Sequence, residues 1–379
     1  GRTHGVATPA QPIAPTPTQK TGPTVSEVLK ECLAFKQRTI KAQEAISREV
    51  AILLEWLKLD GDSTPIENVS TNNLIDYRDK CLKKLPVNAN RMTATKNLNV
   101  HEQIAYRKKH GGHKIGITTI NNRITSLGVI FNYALKRHYV PYAFTEGLLL
   151  NNPRRQEKLS GARFDGYSDD QMSELMKYLN EHKTKHKQGE EWKYWIPMLL
   201  AYTGCRANEV AMLTVYDIKK DDDGIKYLDL RNDEELRQRV KNAMSVRKVP
   251  ICQKIIDLGF IDYVEAVKAK VSAKKNKEGR LWPALTYCEQ NKWLRNVSYH
   301  FNRVVKPAIG AKGMKSGLHG LRSSVSRALQ RIKEDQRIID ELTGHMPQGI
   351  SQVSLGYQGR LELKELKAAV DKLDWKSKQ

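Results

Sequence analysis

Two motifs in the second half of the chain pair an arginine with a residue three positions away, which suits phosphate chemistry. In the first, Arg206 follows Gly204 and precedes Glu209 by three residues, and in the second, His319 precedes Arg322 by three. Residues three apart share one face of a helix, so each motif brings its side chains together. Surface ion pairs use the same spacing, so a structural interpretation also stays open for each motif.

The second motif opens an amphipathic helix. Leu318, Leu321 and Val325 belong to an apolar stripe of helical period, which puts His319 and Arg322 beside it in the first turn. Helix N-termini attract phosphate through their free N–H groups and the helix dipole. The sequence predicts an anion clamp here, with a capping histidine and a solvated arginine as the alternative.

A third group combines a histidine with a tyrosine. Gly344 is predicted to end a short helix, His345 follows it, and Tyr357 is the only tyrosine after His345. A phenol with a pKa near 10 is a poor nucleophile unless cations lie beside it. Tyr357 is therefore either an activated nucleophile or a packing residue.

Composition narrows the class of partner. The 379 residues include 64 Lys+Arg and 42 Asp+Glu, a net charge of +22, which favours nucleic acid or another anionic surface. The longest mostly apolar run, 194–205, is shorter than the ~20 residues that cross a bilayer, so no membrane partner is expected. Five cysteines without close pairs exclude a disulfide framework and a CxxC zinc site, and no metal site is predicted. This cysteine usage favours the cytosol.

The elements that must position these residues fall into four regions. Residues 1–24 hold five prolines and no acid, so they are predicted to be a disordered tail or linker. Residues 25–152 read as all-helical, and 153–167 as a basic interdomain linker. Residues 168–379 read as helical with a small antiparallel sheet, because β-branched residues alternate in 225–231 and 246–252. In this reading Thr24 or Ser26 caps the first helix and Gly61 ends the second.

The order Arg-x-x-Glu, His-x-x-Arg, Gly-His and Tyr resembles the tyrosine recombinases, the phage integrase family, in a bacterial integrase subgroup. The residues around these motifs also match the family pattern, in Thr-Gly-x-Arg-x-x-Glu-Val, Leu-His-x-Leu-Arg and Leu-x-Gly-His. The resemblance covers about 168–375, and 25–152 is more loosely similar to the family's core-binding, SAM-like domain. It implies a mainly α fold with a small antiparallel sheet in the catalytic domain, arranged as a two-domain, C-shaped DNA clamp.

The resemblance assigns the phosphate to the two arginines. Arg206 and Arg322 would hold the scissile phosphate, and Glu209 would support Arg206. Two fixed guanidinium groups match the oxygens on which negative charge develops during attack. The same cations would lower the pKa of the attacking phenol.

The remaining catalytic roles follow from the same resemblance. Tyr357 would be the nucleophile, and His319 and His345 would assist with hydrogen bonds and proton transfer. Lys241 would be the general acid for the leaving 5′-oxygen. Lys248 and Lys226 are the alternatives to Lys241, which is preferred because it precedes the Ser-x-Arg segment of a predicted β-hairpin.

The implied function is a site-specific DNA recombinase that works without cofactor or metal through a 3′-phosphotyrosine, for integration or excision of a mobile element. A type IB-like topoisomerase and a catalytically inactive DNA-binding accessory protein are the alternatives. The expected partners are double-stranded recombination sites, a homo-tetramer on DNA, and accessory DNA-bending or directionality factors, in the bacterial cytoplasm with the nucleoid. The segment from about 361 to 375 is expected to form an exchange helix that docks on a neighbouring protomer or on its own domain. The linker cations expected to contact DNA are Arg154, Arg155, Lys158 and Arg163.

Overall fold

The computed structural model of the chain describes residues 22–153, 156–157, 160, 164–272, 276–346 and 359–375. The chain forms two compact units, Gly1–Arg163 and Phe164–Gln379. Both are built mainly from helices, and the second adds a three-stranded antiparallel sheet. The predicted fold class, mainly α with a small antiparallel sheet in the catalytic part, is confirmed. Within the described residues no helix is long and apolar enough to span a membrane.

The first unit is helical. Its α-helices are α1 (Val25–Phe35), α2 (Ile40–Leu57), α3 (Thr71–Asp76), α4 (Val100–His110) and α5 (Ile117–Lys136). Helix α5 packs on α1 and α2, and its buried stripe includes Ile124, Leu127 and Phe131. Burying such a stripe is the main source of helix stability in water.

Of the two predictions about helix ends in the first unit, one is confirmed and one is wrong. Thr24 caps α1, where its side chain accepts from the N–H of Glu27. Helix α2 ends at Leu57, so the prediction that Gly61 ends it is wrong. Lys58 adopts the left-handed conformation, with φ 56°, and its N–H reaches the last carbonyls of the helix. Gly61 instead lies close to Leu54, where a Cβ atom would approach the leucine side chain to 2.9 Å.

The second unit holds the remaining elements. Its helices are α6 (Asp169–His182), α7 (Trp192–Thr203), α8 (Ala207–Ala211), α9 (Gln253–Asp257), α10 (Phe260–Lys268), α11 (Arg295–His300), α12 (Lys306–Ala308), α13 (His319–Arg331), α14 (Gln336–Thr343) and α15 (Leu363–Asp371). Its strands are β1 (Ile218–Lys220), β2 (Lys226–Leu230) and β3 (Arg247–Pro250), in the order β1-β2-β3. Strands β2 and β3 match the two predicted strands. Strand β1 has three residues, too few to give an alternation signal.

Helix α7 forms the centre of the second unit. Every residue of α7 except Lys193 is buried, as expected for a helix that is apolar on all sides. Gly204 ends it in the left-handed conformation, with φ 65°. A Cβ atom at Gly204 would lie 3.1 Å from Val325 of α13 and from Thr343 of α14. The end of α7 therefore brings α13 and α14 close to the start of α8.

Both ends of the second unit are packed into it. Tyr167, in the predicted linker, is buried; its N–H donates to Ser324 Oγ at 2.8 Å and its hydroxyl donates to the Ser316 carbonyl at 3.0 Å. At the other end, α15 buries Val370, and Trp375 donates from Nε1 to a carbonyl of α7 at 3.0 Å. The apolar stripe of the predicted exchange helix is thus covered by its own unit in this single chain.

Candidate active site

Arg206 is held at the start of α8 by its own helix. It caps α8 in an extended conformation, and its backbone N–H donates to Glu209 Oε2 at 2.9 Å. Its Nη1 donates to Glu209 Oε1 at 2.7 Å. Burial opposes ionisation of Glu209, but the charge and hydrogen bond of Arg247, followed by the hydrogen bonds of Arg206, outweigh it and lower the pKa of the carboxyl. Glu209 is therefore a buried carboxylate that orients Arg206.

Arg206 also joins two other elements of the second unit. Its Nη1 donates to Ser245 Oγ at 2.7 Å, just before β3. Its Nη2 donates to the Gly344 carbonyl at 3.0 Å, at the end of α14. Loops distant in sequence thus meet at one guanidinium group, which fixes its plane.

Arg322 reaches the same place from α13. It is 2% exposed, and its Nη1 donates to the Gly204 carbonyl at 2.8 Å. Its Nε and Nη2 are buried without a hydrogen-bond partner among the described residues. Burial, followed by the positive charges of Arg206 and Arg247, lowers the pKa of Arg322 to about 10, so the side chain is still protonated at pH 7. Since an unsatisfied buried donor typically costs about 1–3 kcal/mol, these two groups favour an anionic acceptor.

His345 lies just beyond α14 with a defined tautomer. Its Nδ1 is 3.0 Å from Thr343 Oγ1, and that hydroxyl donates its single proton to the Ile339 carbonyl at 2.5 Å. Thr343 must therefore accept from Nδ1, which leaves Nε2 of the neutral ring as a proton acceptor. Desolvation, followed by the charges of Arg322 and Arg206, lowers the pKa of His345 to about 4, although part of the residue stays exposed. The ring is neutral at pH 7.

The other two predicted catalytic residues in the described part lie near this cluster. His319 is the first residue of α13, and its charge also lowers the pKa of His345. Lys241 is exposed in the connection between β2 and β3. Its neighbour Asn242 accepts from the hydroxyl of Ser245 at 2.7 Å, so the turn beside Lys241 is linked to Arg206 through Ser245.

The alternative lysines are placed differently. Lys248 lies on β3 with its Nζ 5.1 Å from the centre of the Tyr227 ring, and Lys226 is the first residue of β2. The nucleophile candidate Tyr357 and the four linker cations Arg154, Arg155, Lys158 and Arg163 lie outside the described residues.

The sequence interpretation missed Arg247, whose side chain has no solvent exposure. Its Nη2 donates to Glu209 Oε2 at 2.9 Å and its Nε to the Leu342 carbonyl at 3.0 Å. Gly344 adopts φ 61° beside it, and a Cβ atom there would lie 2.8 Å from Arg247 Nη1. The sequence did contain a signal for this residue. The alternation of side chains along β3 places Arg247 on the buried face of the strand, where an arginine is unusual.

Solved structures with a similar fold include tyrosine recombinases. One is the XerH site-specific recombinase in a post-cleavage complex with a palindromic difH substrate, 14% identical, with a TM-score of 0.52 over 86% of this chain and 78% of that one. Another is a variant of the Tn1549 transposon integrase with a circular intermediate DNA, 16% identical, with a TM-score of 0.52 over 93% of this chain and 99% of that one. At sequence identities this low, the structural similarity shows the fold alone.

The family follows from the sequence of the second unit. Residues 167–353 match the model described as the phage integrase family, so this part of the chain is a phage integrase, or tyrosine recombinase, domain. No curated protein sequence matches the chain. The resemblance stated from the motifs is confirmed, and the matched domain supports tyrosine site-specific recombinase activity.

Proposed function

We propose that the chain cleaves and rejoins DNA at specific sites through a covalent 3′-phosphotyrosine, and that it serves integration or excision of a mobile element. The observation that carries the proposal is the meeting of Arg206 and Arg322 beside a neutral His345. Arg322 has two buried N–H groups without acceptors in the described structure, and Arg206 is fixed by Glu209. Such preorganised donors favour the extra negative charge of a phosphoryl transition state.

The reaction balances without an external energy source. The Tyr357 oxygen forms a bond to phosphorus while the bond from phosphorus to the 5′-oxygen breaks. His345 Nε2 is the proposed acceptor of the phenol proton, with His319 donating a hydrogen bond to the phosphate, and Lys241 protonates the leaving 5′-oxygen. Rejoining reverses these steps when a 5′-hydroxyl attacks the phosphotyrosine. One ester replaces another, so neither ATP nor a metal is needed.

The proposed partner is double-stranded DNA carrying a recombination site. The XerH structure contains a palindromic difH substrate and the Tn1549 integrase structure contains a circular intermediate DNA, and the net charge of +22 supports a DNA partner here. Exchange between two duplexes involves four cleaved strands. Since each protomer supplies one nucleophilic tyrosine, this number supports a homo-tetramer on DNA. DNA contacts from the linker cations and a role for accessory DNA-bending or directionality factors belong to the same proposal.

A nicked substrate tests the chemistry. A duplex enriched by binding from a random-sequence pool is nicked close to the cleavage position, so that the 5′-hydroxyl fragment diffuses away and the covalent adduct accumulates. We expect the adduct on the 3′ side with the wild-type chain and none with Tyr357→Phe, which should bind DNA normally because it lacks only one hydroxyl. An undiminished adduct in Tyr357→Phe would refute the assigned nucleophile.

Strand exchange distinguishes recombination from topoisomerase activity. Two differently labelled duplexes with the same site should give recombinant products in complexes of four protomers. Relaxation of supercoiled DNA by a monomer, without such products, would favour the topoisomerase.

A further inference from the structure

Helix α14 makes hydrogen bonds to residues 359–360, which lie further along the chain. Arg337 and Glu341 lie four residues apart and therefore on one face of the helix. Arg337 Nη2 donates to the Gly359 carbonyl at 3.1 Å, and Arg360 Nη1 donates to Glu341 Oε1 at 2.7 Å. The chain that leaves α14 at Gly344 is thus held by the same helix at 359–360.

Arg360 also contacts the neighbourhood of β3. Its Nη2 donates to the Val246 carbonyl at 2.7 Å. Val246 stands between Ser245, which accepts from Arg206, and Arg247, which donates to Glu209. One guanidinium group therefore ties α14 to the segment that supports Arg206. Two donors aimed at separate acceptors fix its plane.

Arg360 lies close in sequence to the candidate nucleophile. Arg360 follows Tyr357 by three residues. Only two residues separate them along the chain. At the other end, the backbone N–H of His345 donates to the Asp340 carbonyl of α14 at 3.0 Å. Both ends of the stretch that carries Tyr357 are anchored on α14.

We propose that Arg360, paired with Glu341 and the Val246 carbonyl, is a positioning residue that sets the approach of the Tyr357 phenol to the scissile phosphate. This inference rests on the proposed function. The side chain of Arg360 is 45% exposed and that of Glu341 is 10% exposed. Because the Arg360 end of this pair is open to water, the loss of the pair should cost little stability and leave the fold intact. Misplacing a reacting group by about 1 Å can cost roughly 10²-fold in rate.

The first test measures the single-turnover rate of adduct formation by the full chain on the nicked duplex. Arg360→Gln should lower this rate roughly 10²-fold, while the DNA affinity and the thermal midpoint stay at the wild-type values. Arg360→Lys should recover part of the rate. Arg331→Gln is the control, because Arg331 is as exposed as Arg360 and also pairs with a carboxylate, that of Asp169, and it should change none of these quantities.

The second test separates attack by the nucleophile from departure of the 5′-oxygen. A substrate with sulfur in place of the bridging 5′-oxygen has a leaving group that needs no general acid. Lys241→Ala should recover on this substrate, whereas Arg360→Gln should stay slow because its defect is in the attack. Glu341→Gln should share the defect of Arg360→Gln, and the double variant should be no slower than the slower single variant.

Two results would overturn the inference. One is a wild-type rate for Arg360→Gln, and the other is a loss of rate matched by an equal loss of DNA affinity or thermal stability. Failure of the proposed function would look different, because the wild-type chain would form no adduct or Tyr357→Phe would keep it.

Discussion

Arg247 donates a 2.9 Å hydrogen bond to Glu209 from a position without solvent exposure, and Glu209 in turn holds Arg206. The carboxylate thus lies between two guanidinium groups, one inside the unit and one facing the candidate phosphate site. Arg247 acts on the site through Glu209, and its charge also lowers the pKa values of Arg322 and His345. The pair links the core of the second unit to its proposed chemistry.

Substitutions of Arg247 should separate its charge from its shape. Arg247→Met leaves Glu209 buried beside one arginine, and breaking a buried pair costs about 3–5 kcal/mol in free energy of unfolding. Arg247→Lys keeps the charge but not the fork of donors, so it should lose less stability and still slow cleavage. Urea unfolding and single-turnover cleavage measure the two effects, with Arg331→Met as an exposed control. Full stability of Arg247→Met would contradict this account.

The two proposed phosphate ligands should each be needed for cleavage. Arg206→Ala and Arg322→Ala should lower the single-turnover rate by about 10²–10³-fold, as removal of one anion-stabilising donor typically does. The rate of the wild-type chain should be the same in EDTA, because guanidinium groups supply the positive charge. Adduct formation on the nicked duplex measures both. A strict requirement for Mg²⁺ would count against the mechanism.

His345 should be neutral in the DNA-free chain. Desolvation and the neighbouring cations lower its pKa to about 4, below the unfolded value near 6.5. Its contribution to stability is therefore fully present above about pH 6.5 and is lost as the pH falls towards 4. An NMR titration of the imidazoles, assigned with His345→Gln, should place the midpoint near 4, and Arg322→Gln should raise it. A midpoint at or above 6.5 would contradict the prediction.

The C-terminal helix should contribute to the stability of the single chain. Trp375 is 5% exposed and hydrogen-bonded to α7, so Trp375→Ala should cost about 3–5 kcal/mol in free energy of unfolding. Lys364→Ala, on the exposed face of α15, should cost little. Urea unfolding measures both. Equal urea midpoints for the two variants would show that α15 is not docked on its own unit. Its apolar stripe would then be available to a neighbouring protomer.

The amino-acid sequence alone determined the local features of this protein. Periodicity predicted α13, capping chemistry predicted the start of α1, and spacing predicted that Arg206 meets Glu209. These features depend on residues a few positions apart, whose geometry follows from the helix. The resemblance to the tyrosine recombinases also came from the sequence, because the motifs that carry it are local and occur in a fixed order along the chain.

Only the tertiary structure decided which distant residues meet. The burial of Arg247 between Glu209 and the Leu342 carbonyl, and the contact of Arg360 with Val246, join positions 38 to 114 residues apart. Local periodicity carries no information about such contacts, since they depend on how α8, α14 and β3 come together in the folded unit. The pKa values of Arg322 and His345 depend on the same packing, because desolvation and neighbouring charge exist only once the unit is folded.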